Sequence, residues 1–298
     1  FSIIENKKTK AIAEEIMKII FLVCAFFAVL AVFSITIYMI LNGTPAIFKI
    51  GLKEILFETQ WAPTAADPKY GILYVILTSI VGTTFAVLIG VPIGVLTAVF
   101  IAEVAPKQLA AIVKPAVELL AGIPSVIYGL LGIMILNPFM YKIEKIIFKG
   151  SSTHQFTGGS NLISAIIVLA IMILPTVINI SESSISSASL ALGASKIQTI
   201  FKVVLPVARS GIMSAIVLGV GRAIGEAMAI TLVSGSSVNL PLPFNSVRFL
   251  TTAIVAEMGY AADEHRQVLF TIGLILFFFI MVVNTVFAKL LSTNEKAK

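Results

Sequence analysis

Two ionisable residues stand inside an otherwise apolar stretch: Arg222 and Glu226, within Gly221-Arg-Ala-Ile-Gly-Glu-Ala-Met-Ala229. A guanidinium is always charged and presents a planar fork of donors, so it suits bidentate capture of a carboxylate or an oxyanion. On a continuous helix Glu226 falls one turn after Arg222 on the same face, where it can hold the fork while no anion is bound. Counted from a helix entry near Ile212, Arg222 lies about 15 Å deep, near the middle of a hydrocarbon layer roughly 30 Å thick. An arginine there costs about 2.5–3.5 kcal/mol on insertion scales, so it is expected to face a cavity or a partner rather than lipid. Gly219, Gly225 and Ala229 are expected to leave room nearby. Two roles fit the pair: an anion contact on a path through the membrane, or a structural ion bridge that pins its helix to its neighbours.

Other polar residues carry weaker signals. Glu118 opens the third apolar block, where snorkelling or a helix N-terminus would explain it equally well. Ser125 and Tyr128, in the same block, can line a path or simply pack. Glu103 and Glu257 lie at block edges and read as solvated, although Glu257 is placed to meet a soluble partner. His154 and His265 are isolated, without metal-ligand spacing, so they read as solvated loop residues and no metal site is expected. Cys24 is the only cysteine, so no internal disulfide can form. No phosphate-binding loop of the form G-x-x-x-x-G-K-[ST], no nucleophile elbow and no H-E-x-x-H occurs. The chain is therefore expected to be non-enzymatic and to hold no cofactor of its own.

The elements that must position these residues follow from composition. Of 298 residues 58% are hydrophobic and 12% charged, with a mean hydropathy of +1.04, whereas soluble domains run near 25% charged. The apolar residues gather into blocks of spanning length rather than short alternating segments, which disfavours a β-barrel and leaves helices as the way across a membrane. Six blocks are long enough, near 16–41, 72–102, 116–136, 162–180, 212–235 and 267–291. The fold class is thus an all-α polytopic bundle of six transmembrane helices. The first block is longer than a signal-peptide core and lacks a small-x-small cleavage site, so it reads as a retained span. It contains no glycine or proline from Ile16 to Leu41, as suits a lipid-facing peripheral helix. The net charge of +6 is spread singly through the links, which reads as topology rather than as a nucleic-acid surface. With the N-terminus in the cytoplasm, twelve Lys and Arg fall inside and eight outside, so both termini are expected to be cytoplasmic.

The organisation that follows is a cytoplasmic tail at 1–15, the peripheral helix at 16–41, an extracytoplasmic link at 42–71, a core at 72–291 and a tail at 292–298. Asn42-Gly43, Ala62-Pro63, Asp67-Pro68 and Gly158-Gly159 supply turn chemistry for links at 42–71 and 137–161. One cytoplasmic link, about 181–210, is far longer than an ordinary helix connection. Its residues from Ser187 predict a helix, a turn at Gly193, and a second amphipathic segment ended by Pro206. Ile197, Ile200, Phe201 and Val204 recur at helical spacing on one face of that segment. A short helix with such a face suits docking in a groove of a soluble partner.

Gly193 and Leu205-Pro206, thirteen residues from glycine to proline, resemble the coupling loop of binding-protein-dependent ABC importer permeases. The resemblance implies the type I importer fold and a coupling helix that plugs into an ATPase subunit, carried here by Ala188, Gly193, Ala194, Ile197, Phe201, Leu205 and Pro206. The family's leading glutamate falls on Ser187, a departure that weakens a salt bridge to the ATPase from this site. Glu118-Leu-Leu-Ala-Gly-Ile-Pro-Ser-Val-Ile-Tyr-Gly129, the stretch around Arg222, and Leu250-Thr-Thr-Ala-Ile-Val-Ala-Glu257 together resemble the phosphate-specific permeases of the PstC type. Trp61-Ala-Pro63 followed by Tyr70-Gly71 fits the same type. The likeness implies a second, related permease, a dimer of cytoplasmic ATPase that uses ATP and Mg, and an extracytoplasmic phosphate-binding protein as partners. It also implies that Arg222 and Glu226 lie on the phosphate path. A permease for phosphonate, sulfate or molybdate is the alternative within the class. A stand-alone secondary anion transporter is the alternative outside it, disfavoured because no inverted repeat is evident.

Overall fold

A computed structural model describes residues 2–178, 189 and 191–296, with side chains described from residue 13 to 286 of these and at 289. Ala188, with most of the first half of the long link, lies outside them. The regular elements of the described chain are helices and one antiparallel hairpin, β1 (Trp61–Ala62) and β2 (Lys69–Tyr70). Helix α1 (Ser2–Ile50) ends at Gly51, and α2 (Leu52–Phe57) leads into the hairpin. Then come α3 (Leu73–Val99), α4 (Lys107–Gly122), α5 (Ser125–Leu131), α6 (Asn137–Ile147) and α7 (Leu162–Ile178). The second half comprises α8 (Lys196–Thr199), α9 (Leu205–Gly225), α10 (Met228–Val233), α11 (Leu250–Glu257) and α12 (Asp263–Lys296). Among the described residues five continuous helical stretches are long and apolar enough to cross a membrane, and α7 is a shorter apolar sixth.

Helix α7 is the centre of the bundle, with α3 parallel to it on one side and α9 antiparallel on another. Lipid offers no hydrophobic drive to hold helices together, so close packing over small residues must do it. The α3 face supplies those residues: a Cβ at Gly90 would lie 2.9 Å from the Ala170 carbonyl oxygen, and one at Gly94 2.9 Å from Val177. Gly82 receives the Phe249 ring in the same way, and Gly219 brings α9 against Ile173. A second core of Ile55, Ile72, Val75, Leu250, Leu269 and Ile272 closes the hairpin end of the bundle. Helix α1 packs along α12, with Gly43 against the backbone of Phe270 and Thr271, and the Thr271 hydroxyl donates to the Gly43 carbonyl at 2.8 Å. From residue 13 to 35 every α1 side chain is exposed.

Prolines are accommodated by a repeated device. π-Helical turns occupy Phe100–Val104, Gly132–Leu136 and Ile200–Val204, and each stands one residue before Ala105-Pro106, Asn137-Pro138 or Leu205-Pro206. The amide before each proline bonds five residues back, Ala105 to Phe100, Asn137 to Gly132 and Leu205 to Ile200. A proline ring clashes with the carbonyl four residues behind it and brings no N–H. Widening the turn ahead of the ring lets the chain run on as helix at Pro138 and Pro206, whereas at Ala105-Pro106 the backbone becomes extended and α4 starts afresh.

Several expected boundaries move for these reasons. Pro206 does not end the amphipathic segment, because the π-turn carries it directly into α9 as one stretch from Lys196 to Gly225. The third spanning stretch is 125–147 rather than 116–136, because Ile123-Pro124 breaks the helix and α4 is a separate element. The helix of the fifth block ends at Gly225 instead of running to 235. Asn42-Gly43 makes no turn: it is helical, and the glycine serves the contact with α12. Hairpin turns do occur at 62–69, and Gly158 and Gly159 both take positive φ.

Replacing Gly90 by valine is expected to force α3 from α7 and lower stability by about 1–3 kcal/mol, the usual cost of overpacking. Thermal unfolding of the detergent-solubilised protein checks this, with Gly221→Ala as a control expected to leave Tm no lower, since nothing lies within 4 Å of that position.

Candidate functional site

The centre of the site is a break in a membrane helix. Helix α9 stops at Gly225, Glu226 is extended (φ −70, ψ 130), and α10 restarts at Met228. A break at membrane depth exposes amides and carbonyls that no water can satisfy, so each needs a protein partner. Glu226 meets part of that need: its Oε1 accepts the Ala229 amide at 3.0 Å, capping the new helix. The Glu226 carbonyl in turn accepts the Thr251 hydroxyl of α11 at 2.7 Å.

The expected ion bridge between Arg222 and Glu226 is therefore absent among the described residues. Once the helix ends at Gly225, Glu226 no longer falls one turn above Arg222 on a common face, and its carboxylate turns to α10. Arg222 is left exposed, on a face where Gly221 and Gly225 have nothing within 4 Å of a notional Cβ. Gly219 and Ala229, expected to leave room, are packed instead: Gly219 meets Ile173, and Ala229 is buried against Gly129. The packing register also fixes depth. Gly219 sits opposite Ile173 on antiparallel α7, and Arg222 is about 4.5 Å further along, close to the middle of Leu162–Ile178.

Helix α5 closes against α10 through Gly129 and Gly132, which meet Ala229, Leu232 and Val233. This brings Tyr128 within electrostatic reach of Arg222. The Tyr128 hydroxyl donates to the Leu120 carbonyl at 2.7 Å, satisfying one of the acceptors freed where α4 ends before Pro124. Ser125 is half-buried in the first turn of α5, and Glu118 is exposed on α4. Arg222 thus lies within electrostatic reach of Tyr128, and Glu226 is committed to Ala229 and Thr251. No contact places Glu118 with this group.

At the opposite end of α9, Gly193 has φ +85, a left-handed conformation that favours glycine. The helix beyond starts with a capping box, in which the Ser195 hydroxyl accepts the Gln198 amide at 3.3 Å and Gln198 Oε1 accepts the Ser195 amide at 3.1 Å. Ala194 donates its amide to the Ser189 carbonyl. Ile197 and Phe201 stand 71% and 65% exposed beside Leu192 at 90%, an apolar cluster with no cover in the described chain. Leu205 is half-buried and Pro206 exposed.

Three residues expected to be solvated are not. Glu257 is 4% exposed, because the hairpin folds over it. It accepts Trp61 Nε1 at 3.1 Å to both oxygens, His265 Nε2 at 2.7 Å and Arg248 Nη1, while Arg248 Nε donates to the Ser236 carbonyl at 2.8 Å. Tyr70 packs edge-on against Trp61, and burial pushes its phenol up, keeping it neutral. His154 also leaves solvent: its Nε2 lies 2.8 Å from Oε1 of the fully buried Glu144, and its ring stacks on Phe148 at 3.7 Å. Glu144 also accepts the Thr157 amide and hydroxyl. Sequence reasoning missed Glu144, Arg248 and Thr251. Each histidine pairs with an acid 8 or 10 residues before it, across a turn and with no helical periodicity to signal it.

With this geometry in place, relatives resolve its class. A family profile described as the binding-protein-dependent transport system inner membrane component matches residues 90–294. The chain belongs to that family. The protein named "Probable ABC transporter permease protein YqgH" of Bacillus subtilis (strain 168) is 37% identical, with 95% of this chain and 93% of that one aligned. The phosphate transport system permease protein PstC of Xylella fastidiosa (strain 9a5c) is 32% identical over the same shares. A chain from inward-facing structures of the MetNI methionine ABC transporter is 20% identical and superposes at a TM-score of 0.49, covering 75% of this chain and 94% of that one.

The permease is accordingly a multi-pass membrane component without enzymatic activity, of a kind that works with ATPase subunits and a binding protein. Its helix break generates a test. Glu226→Gln keeps an oxygen acceptor for the Ala229 amide and is expected to hold Tm near the parent value. Glu226→Ala loses the cap and is expected to cost about 1 kcal/mol, measured by thermal unfolding in detergent.

Proposed function

We propose that this permease forms the translocation path for inorganic phosphate delivered by an extracytoplasmic binding protein, in a complex with a second, related permease and a dimer of ATP- and Mg-using subunits. The observation that carries this reading is Arg222. It is an unpaired guanidinium among the described residues, near mid-span, on a face kept open by Gly221 and Gly225 and within electrostatic reach of Tyr128. The energetic cost of an arginine at that depth argues for an anionic partner there during part of the cycle. The PstC relatives favour phosphate among oxyanions. In this reading Arg222 meets the oxyanion with two parallel N–H donors, while Glu226 holds the break that gives the anion room rather than holding Arg222.

The bias of Lys and Arg toward the Gly193 end orients that end, and both termini, to the cytoplasm. There the exposed apolar cluster of Leu192, Ile197 and Phe201 docks into a groove of the ATPase, and closure of the ATPase dimer pushes on the continuous Lys196–Gly225 helix. ATP binding opens the path outward and hydrolysis resets it.

Uptake into vesicles holding the full importer tests the anion role. Arg222→Gln is expected to lower phosphate uptake at least tenfold while ATP hydrolysis continues, and Arg222→Lys to recover part of it. Normal uptake by both variants would remove Arg222 from the path, and competition by sulfate, molybdate and phosphonate ranks the cargo. Docking is tested separately: Phe201→Ser is expected to release the ATPase on co-purification from detergent without altering the Tm of the permease, since that side chain is exposed.

A further inference from the structure

Helix α11 is short, yet both of its ends are fixed by polar contacts to different parts of the molecule. At its start the Leu250 amide donates to Ser79 Oγ on α3 at 2.9 Å, and the Phe249 ring fills the space left by Gly82. Thr251 Oγ1 donates to the Glu226 carbonyl at 2.7 Å. At its end Glu257 is gripped by Trp61 of the hairpin, Arg248 of the preceding loop and His265 of α12. From Thr251 to Glu257 is six residues, about 9 Å of helix.

We infer that α11 is a strut that sets the position of the helix break from the hairpin end, and that Thr251 is the positioning residue through which it acts. The reasoning is mechanical. Glu226 has an extended backbone between two helices, and its side chain is committed to Ala229. The carbonyl of an unwound residue has no helical partner, so the Thr251 hydroxyl supplies a bond that the membrane interior cannot replace. Moving α11 along its axis therefore drags the Glu226 carbonyl, and with it Gly225 at the end of the helix that carries Arg222. The opposite end of the strut cannot slide alone. Glu257 is buried with partners from three separate segments, and a buried carboxylate with its charged partners is strongly disfavoured from losing any of them. A load on the hairpin or the 234–248 loop is thus delivered to the break rather than absorbed by side-chain rearrangement.

This inference concerns the position of the break and does not depend on which anion crosses. Its test is the reactivity of a thiol at Gly225→Cys, a site with open space around it, in a Cys24→Ser background. The permease is reconstituted with its ATPase subunits in nanodiscs and labelled with a small charged methanethiosulfonate. Thr251→Val, which keeps shape but removes the hydroxyl, is expected to change the labelling rate at least threefold, and Thr251→Ser to restore it. Trp61→Phe and Glu257→Gln, at the far end of the strut, are expected to change it in the same direction. Adding Thr251→Val to either should produce no further change, because the connection is already cut. Unchanged labelling in Thr251→Val, failure of Thr251→Ser to restore it, or additive effects of the two ends would each overturn the strut. If Glu257→Gln does not fold, Trp61→Phe carries the far-end arm alone. Normal labelling shifts together with phosphate-independent uptake would overturn the cargo assignment and leave the strut standing.

Discussion

Everything in this fold answers to one constraint: a main-chain N–H or C=O inside a bilayer core must find its partner within the protein. An unbroken helix meets it without help, but a path for a hydrated anion cannot be lined by unbroken apolar helices alone. The chain interrupts its helices at two places, Gly122-Ile123-Pro124 and Gly225-Glu226-Ala227, and at each a side chain repairs the backbone. Tyr128 reaches back to Leu120, and Glu226 reaches forward to Ala229. The π-turns ahead of three prolines solve the same problem with the main chain alone. Polar side chains in the span are therefore first structural, and chemistry is available only to those left over after the repairs.

That sorting changes the meaning of the charged pair. A carboxylate four residues from an arginine ordinarily neutralises it, and a neutralised arginine has little to offer a passing anion. Because the helix stops between them, Glu226 is drawn into the cap and Arg222 keeps its donors free toward an open face. The separation follows from the end of the helix at Gly225 and from Thr251, which holds the departing carbonyl. Structural and functional readings of the pair are not rivals: Glu226 takes the first and thereby leaves the second to Arg222.

The sequence was informative wherever a periodicity or a composition carries the signal. Six apolar blocks, the peripheral first helix and the glycine turn at 193 were all legible because they depend on local residue types. The breaks were not, because an apolar run with one glycine or proline reads the same whether the helix bends, widens into a π-turn or stops. Pro124 stops a helix and Pro206 does not, while Pro106 stops one in spite of the π-turn before it, so the outcome is a tertiary choice. Glu257, His154 and His265 were misread for a related reason. Each sits in a link or at the edge of an apolar block, where solvent is the ordinary neighbour; Glu257 and His265 are covered by the hairpin, and His154 by its own link around Glu144 and Phe148. Trp61 is 196 residues from the carboxylate it donates to.

The same reasoning separates the two ends of the long α8–α9 stretch. At the Gly193 end Leu192, Ile197 and Phe201 are apolar and uncovered, so water drives them toward whatever groove will bury them. At the other end the helix terminates among polar groups that are all spoken for except Arg222. Between them the chain is one helical stretch from Lys196 to Gly225, with Gly219 held against Ile173 and Val177. A displacement imposed at the Gly193 end is therefore carried along that stretch toward its last turn. The residue carried by that last turn is the arginine, and the compliant element next to it is the two-residue break. A continuous helix that is apolar and uncovered at one end and carries an arginine beside a break at the other can convert a push at the first into a change in where that charge points.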